Sequence, residues 1–94
     1  MEIVWRRLAL DGLEHAREHI AVHNPDAAER IFAAILSAVR RLADHPSLGR
    51  SGRVEDTREL VVVGTPYVVV YTVIGTGVNV IAVQHGARKW PCRF

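Results

Sequence analysis

Residues Thr57 to His85 read TRELVVVGTPYVVVYTVIGTGVNVIAVQH, and the fold turns on how this run divides. Three segments rich in valine, isoleucine and tyrosine (TRELVVV, YVVVYTVI and VNVIAVQH) are separated by Gly64-Thr65-Pro66 and Gly75-Thr76-Gly77. β-Branched and aromatic residues suit an extended, pleated backbone, while glycine and proline between them mark tight turns. Connections this short join antiparallel neighbours, so the spacing predicts a three-stranded antiparallel meander. The runs are apolar at odd and even positions alike. A sheet covered on much of both faces is therefore expected, with helices on one face and a partner or a sheet edge against the other.

Ahead of the strands lies PSLGRSGRVED, residues 46–56, which reads as the main loop. Before it, NPDAAERIFAAILSAVRRLADHP carries the strongest helix signal. Asn24 can cap the helix, Pro25 fits its first turn, and Asp26 and Glu29 complement the positive end of its dipole. Ala28, Ile31, Phe32, Ile35, Val39 and Leu42 recur at steps of three and four, and His45-Pro46 stops the pattern. A shorter amphipathic stretch from Leu8 to His23 predicts a first helix, so the two make an antiparallel hairpin. MEIVWRR alternates in the manner of a half-buried strand. The expected architecture is α+β: an N-terminal strand, a helical hairpin and the meander, all in a single domain over residues 1–94.

A chain of 94 residues, 49% hydrophobic and 23% charged, is too short for two cores and too apolar for disorder. Cys92 is the single cysteine, so no internal disulfide is available, and a reducing cytoplasm is the expected setting. The N-terminal stretch lacks an export signal's apolar region, and no run reaches the roughly 18 apolar residues of a membrane span. Net charge is +2, unevenly placed: up to Gly49 the balance is −1, and from Arg50 onward it is +3. That asymmetry suits an anionic partner such as RNA, DNA or an acidic peptide, and is also ordinary for a soluble surface.

The cationic half supplies the candidate chemistry. Arg50 and Arg53 lie in the loop, Arg58 opens a strand, and His85, Arg88, Lys89 and Trp90 follow one another at the end of the last strand. Guanidinium groups bind phosphates bidentately and stabilise charge on a phosphoryl group in transfer. A neutral imidazole could serve as base for a ribose 2′-hydroxyl, and an indole could stack on a nucleobase or cover the core. In a meander the spacing alone does not bring Arg58 to His85. Tyr67 and Tyr71 share one face and read as core, Glu59 reads as the partner of a neighbouring arginine, and His15 and His19 read as surface residues. His15 and His19 have metal-compatible spacing, but no third ligand is evident. P-loop, dinucleotide, zinc and GxSxG signatures are absent, which leaves metal-free, cofactor-free acid–base chemistry or pure binding.

NPDAAERIF, HPSLGRSGRVEDTREL, PYVVVYTV and VNVIAVQHGARKWP, in that order, resemble the RelE/ParE superfamily of toxins from bacterial type II toxin–antitoxin systems. The resemblance implies a cytoplasmic, growth-inhibiting toxin wrapped by the C-terminal segment of a cognate antitoxin in a hetero-oligomer. RelE-like members cleave mRNA on the ribosome; ParE-like members inhibit DNA gyrase without catalysis. The first branch is the favoured expectation and the second the alternative. On the first, Arg58, Arg88 and His85 are the implied catalytic residues, and Arg50, Arg53, Lys89 and Trp90 the implied RNA-binding ones, with no metal or cofactor. The C-terminal tyrosine of some ribonucleases has no counterpart here.

Overall fold

Asn24 starts the longer helix as its side chain predicts: Oδ1 accepts a hydrogen bond from the Ala27 N–H at 3.0 Å, and Pro25 occupies the first turn. The computed structural model describes all of residues 1–94. In chain order the elements are β1 (Glu2–Trp5), α1 (Arg7–Ala21), α2 (Pro25–Leu42), β2 (Arg50–Ser51), β3 (Arg58–Val61), β4 (Tyr67–Ile74) and β5 (Gly77–His85). The strand, helical hairpin and meander stand as expected. A single sheet carries all five strands in the order β1-β5-β4-β3-β2. β1 lies parallel to β5, and every other pairing is antiparallel.

One expectation needs correction. The segment 46–56 is not wholly irregular, because Arg50 and Ser51 pair with Glu59 and Arg58 and add a fifth strand at the sheet's edge. Polar composition hid it: neither residue has the side chain of a strand former, and the pairing comes from β3's free edge. β3 itself stops at Val61, although the Val62 N–H still donates to the Tyr67 carbonyl, and Val63 is 85% exposed.

The helices cover one face of the sheet. Leu60 of β3, Val69 and Tyr71 of β4, and Val78, Val80 and Val83 of β5 pack there against Leu13, Ile35, Val39 and Leu42. Val78 and Val80 are two residues apart, as strand alternation requires, but Val80 and Val83 are three apart. The register explains the difference: Tyr71 faces Val80 while Val70 faces Ala82, so Ile81 is an extra residue in β5, a β-bulge. From there to its end the strand's side-chain parity is reversed. Val83 and His85 point to the helical side, and Ala82 and Gln84 to the other.

The opposite face is also covered, by the chain itself. Glu59, Val68, Val70 and Ala82 are buried there although they lie outside the helical core. The chain leaving β5 crosses Val68: a Cβ added to Gly86 would sit 3.6 Å from Val68 Cγ2. Neither a partner nor a sheet edge is needed at this end of the sheet.

Two glycines set close approaches. At Gly12 of α1, an added Cβ would lie 2.7 Å from the Val83 carbonyl oxygen, so the helix rests directly on the β5 backbone. At Gly49 an added Cβ would lie 2.7 Å from the Tyr71 ring. The Gly49 N–H donates to the Tyr71 hydroxyl at 2.8 Å, and that hydroxyl donates to the Pro46 carbonyl at 2.8 Å. Tyr71, fully buried, thus ties the end of the α2 loop to the middle of the sheet. Gly49→Ala should lower the unfolding free energy by about 1–3 kcal/mol through overpacking. Tyr71→Phe should cost about 1–3 kcal/mol by stranding two backbone groups. Urea unfolding measures both, and because the two lesions break one contact, the double variant should lose less than the sum.

Candidate functional site

The seven residues expected to carry function do not form one cluster; β4 keeps them apart. Arg58 pairs with Tyr71 in the sheet and His85 with Tyr67, four residues earlier in β4. At the usual rise this separates them by about 13 Å along the sheet and puts a strand between them. Arg58 turns to the α2 loop, where Nη1 donates to the Gly49 carbonyl at 2.7 Å and, at a longer 3.5 Å, to the Ser47 carbonyl.

Arg50, Arg53 and Trp90 meet on the face away from the helices, around Glu59. The Glu59 side chain is only 2% exposed, and its carboxylate accepts four hydrogen bonds. They come from the Arg53 backbone N–H at 2.6 Å, Arg53 Nε at 3.2 Å, Arg53 Nη2 at 3.3 Å and Arg50 Nη2 at 3.2 Å. Burial pushes this carboxyl's pKa up. The Arg53 backbone and the two guanidinium groups more than offset it and hold the group below its ordinary 4.5. The expected pairing of Glu59 with a neighbouring arginine is therefore made twice. Arg53 also lies 3.6 Å from the centre of the Trp90 ring, a cation–π contact. Trp90 Nε1 donates to the His85 carbonyl at 3.2 Å, so this indole packs and anchors the chain end.

His85 organises the turn that follows β5. Its carbonyl accepts from the Arg88 N–H at 3.1 Å as well as from Trp90. Its ring Nδ1 accepts from the Ala87 N–H at 3.2 Å. By the reversed parity of β5 the ring lies on the helical side, edge-on to Tyr67 with ring centres 5.5 Å apart. There it borders a groove of about 370 Å³ between α1 and the ends of β4 and β5. Asp11, His15 and His19 line the α1 wall, and Tyr67, His85 and Arg88 the other. Burial raises the Tyr67 pKa, partly opposed by the positive charge of Arg88, so the phenol keeps its proton at neutral pH. Lys89 is exposed beside the groove's turn and makes no ion pair.

Sequence reasoning placed His85 and Arg88 correctly at one strand end but missed the groove's other wall. His15 and His19 are exposed, as read, yet their rings stack with centres 6.3 Å apart along the groove. Gly12, between Asp11 and His15 on the same helix, was the available signal, since a helical glycine marks close backbone approach. The structure brings together no group of three His, Cys, Asp or Glu side chains able to hold a metal ion. The assembly offers a neutral phenol, an imidazole and a guanidinium on one side of the sheet, and two arginines engaged by one buried glutamate on the other.

Comparison with known proteins agrees with this architecture. Residues 3–90 match the family described as ParE toxin of type II toxin-antitoxin system, parDE. The chain is 40% identical over 89 residues to Y4kP of Sinorhizobium fredii, covering 95% of this chain and 92% of the relative. It is 37% identical over 87 residues to Toxin RelE2 of Caulobacter vibrioides, covering 93% and 97%. A solved structure of the chromosomal ParDE system from P. aeruginosa superposes with a TM-score of 0.82 at 23% identity, over 90% of this chain and 95% of that one. That last likeness is one of fold.

The Glu59 knot makes a prediction that needs no partner. Its lowered pKa means that its stabilising contribution is complete above 4.5 and is lost as pH falls through the folded value. Glu59→Gln should cost about 2–3 kcal/mol at neutral pH, the lower end for a buried partner because both arginines can reach water. The melting temperature of the unmodified protein should fall more steeply than that of Glu59→Gln below pH 4.5, as followed by circular dichroism.

Proposed function

Because the chain belongs to the ParE toxin family of type II toxin–antitoxin systems, we propose that it arrests growth by binding a protein target, with DNA gyrase as the candidate, and that a cognate antitoxin neutralises it. The observation that supports binding over cleavage is the dispersal of the arginines. Arg58 is held by loop carbonyls, and Arg50 and Arg53 by Glu59, so none of the three faces the groove that holds His85. Cleavage by a 2′-hydroxyl needs a proton acceptor, a proton donor and a phosphate-stabilising cation around a single phosphate. Three of the cations first counted toward that task have structural partners instead.

RNA cleavage stands as the second reading, favoured by one feature: Tyr67, His85 and Arg88 share a groove. On this reading the phenol would replace the C-terminal tyrosine missing from the sequence. The antitoxin, in either case, would cover exposed apolar surface such as Val61, Val63 and Ile74 and leave the toxin inactive in a hetero-oligomer. No helix is long and apolar enough to cross a membrane, and the proposed site of action is the cytoplasm.

Two assays on one preparation separate the readings. Purified toxin should inhibit DNA supercoiling by gyrase, while mRNA 5′ ends mapped after induced expression stay unchanged. Codon-positioned cuts with gyrase unaffected would reverse the assignment. Arg58→Gln should lower the melting temperature through loss of the Gly49 contact, and target inhibition should fall only in proportion to the unfolded fraction. Full loss of inhibition in a folded Arg58→Gln protein would return Arg58 to the functional surface.

A further inference from the structure

The groove contains a polar group with no work in the fold. Tyr67 is 6% exposed, yet its hydroxyl makes no hydrogen bond within the protein, unlike that of Tyr71. No buried side-chain polar atom is left unpaired, so the Tyr67 hydroxyl must reach the open space of the groove. An otherwise buried phenol aimed into a groove is a donor held ready for a ligand.

Its neighbours are donors as well. His85 Nδ1 accepts from the Ala87 N–H, which leaves Nε2 as the nitrogen that carries the proton and donates. The Arg88 guanidinium has no carboxylate partner, in contrast to Arg50 and Arg53. A phenol, an imidazole N–H and a guanidinium around one groove match an oxyanion, with the charged donor giving the strongest contact.

We infer that Tyr67, His85 and Arg88 form an oxyanion site that takes a carboxylate side chain of an acidic, amphipathic peptide. Two features favour a peptide over a nucleic-acid backbone. The opposite wall carries Asp11, whose fixed carboxylate repels a row of phosphates, while a single incoming carboxylate can be offset by Arg88. The rim also offers Leu8, 51% exposed, as an apolar contact for the peptide's other side chains. The inference rests on the proposed function only in naming the antitoxin as the source of that peptide.

The test uses the full-length toxin and two short amphipathic peptides, identical except for glutamate in one where the other has glutamine. Binding is followed by NMR through the ring signals of Tyr67 and His85. The glutamate peptide should bind about tenfold more tightly and shift both rings, the scale of a charge-assisted hydrogen bond. Tyr67→Phe and Arg88→Gln should each remove most of that preference, while Tyr67→Phe keeps the parent melting temperature because its hydroxyl serves nothing in the fold. Arg93→Gln, outside the groove, should keep the preference. Equal affinity for the two peptides, including no binding of either, overturns the site. So does a preference that survives in both groove variants, or a uridine oligonucleotide that binds the groove more tightly than the glutamate peptide. None of these readouts involves gyrase or RNA cleavage, so a failure here leaves the proposed target untouched.

Discussion

Glu59 is the only charged residue the sheet buries, and the second half of the chain is arranged to satisfy it. An isolated carboxylate out of water would cost several kcal/mol, so the fold requires donors on that face. Arg53 answers with backbone and side chain together, which fixes the path of the segment after β2, and Arg50 closes the edge strand over it. The same guanidinium of Arg53 meets Trp90, and Trp90 in turn holds the His85 carbonyl. A buried charge in the third strand therefore sets the position of the C-terminal segment, well separated from it in sequence. The turn that begins at His85 also carries Arg88, so the same chain of contacts places Arg88 at the groove.

The groove on the other face depends on a different constraint. The extra residue Ile81 reverses the parity of β5 beyond the bulge. With strict alternation after Val80, Ala82 and Gln84 would face α1, and His85 would point away from it. Gly12 then lets α1 come down on the Val83 carbonyl, which brings Asp11, His15 and His19 opposite His85. One inserted residue and one missing side chain are enough to turn a strand end into a two-walled groove.

These two devices mark the limit of what the sequence disclosed. The helices and the meander were legible because their signals are local: the Asn24 cap, the three- and four-residue apolar steps, and the turn residues between valine-rich runs. β4 was legible to the residue, as YVVVYTVI. β2 was hidden because Arg50-Ser51 owes its extended form to β3 rather than to its own side chains. The bulge was hidden because VNVIAVQH is apolar at both parities, so no alternation was present to be broken. His85 and Arg88 could be named together by adjacency, but Tyr67 could not be separated from Tyr71. The two share a face and differ only in what their hydroxyls meet.

Counting charges along a chain overstates the surface they leave for a partner. The basic half carries a net +3, yet its cations divide by what they touch. Two arginines share one carboxylate, a third caps loop carbonyls, and Arg88 keeps its guanidinium for the groove. An arginine paired to a buried glutamate resists reassignment to a phosphate, because its departure would take charged donors from a carboxylate held out of water. Arg88, unpaired and at the groove, is therefore the informative cation. Its neighbours are a phenol with no partner in the fold and an imidazole whose donating nitrogen is set by the backbone. Three donors kept out of internal hydrogen bonds, beside a sheet that elsewhere pairs its buried polar atoms, distinguish this groove from the arginine-rich loop, whose guanidinium groups are already engaged.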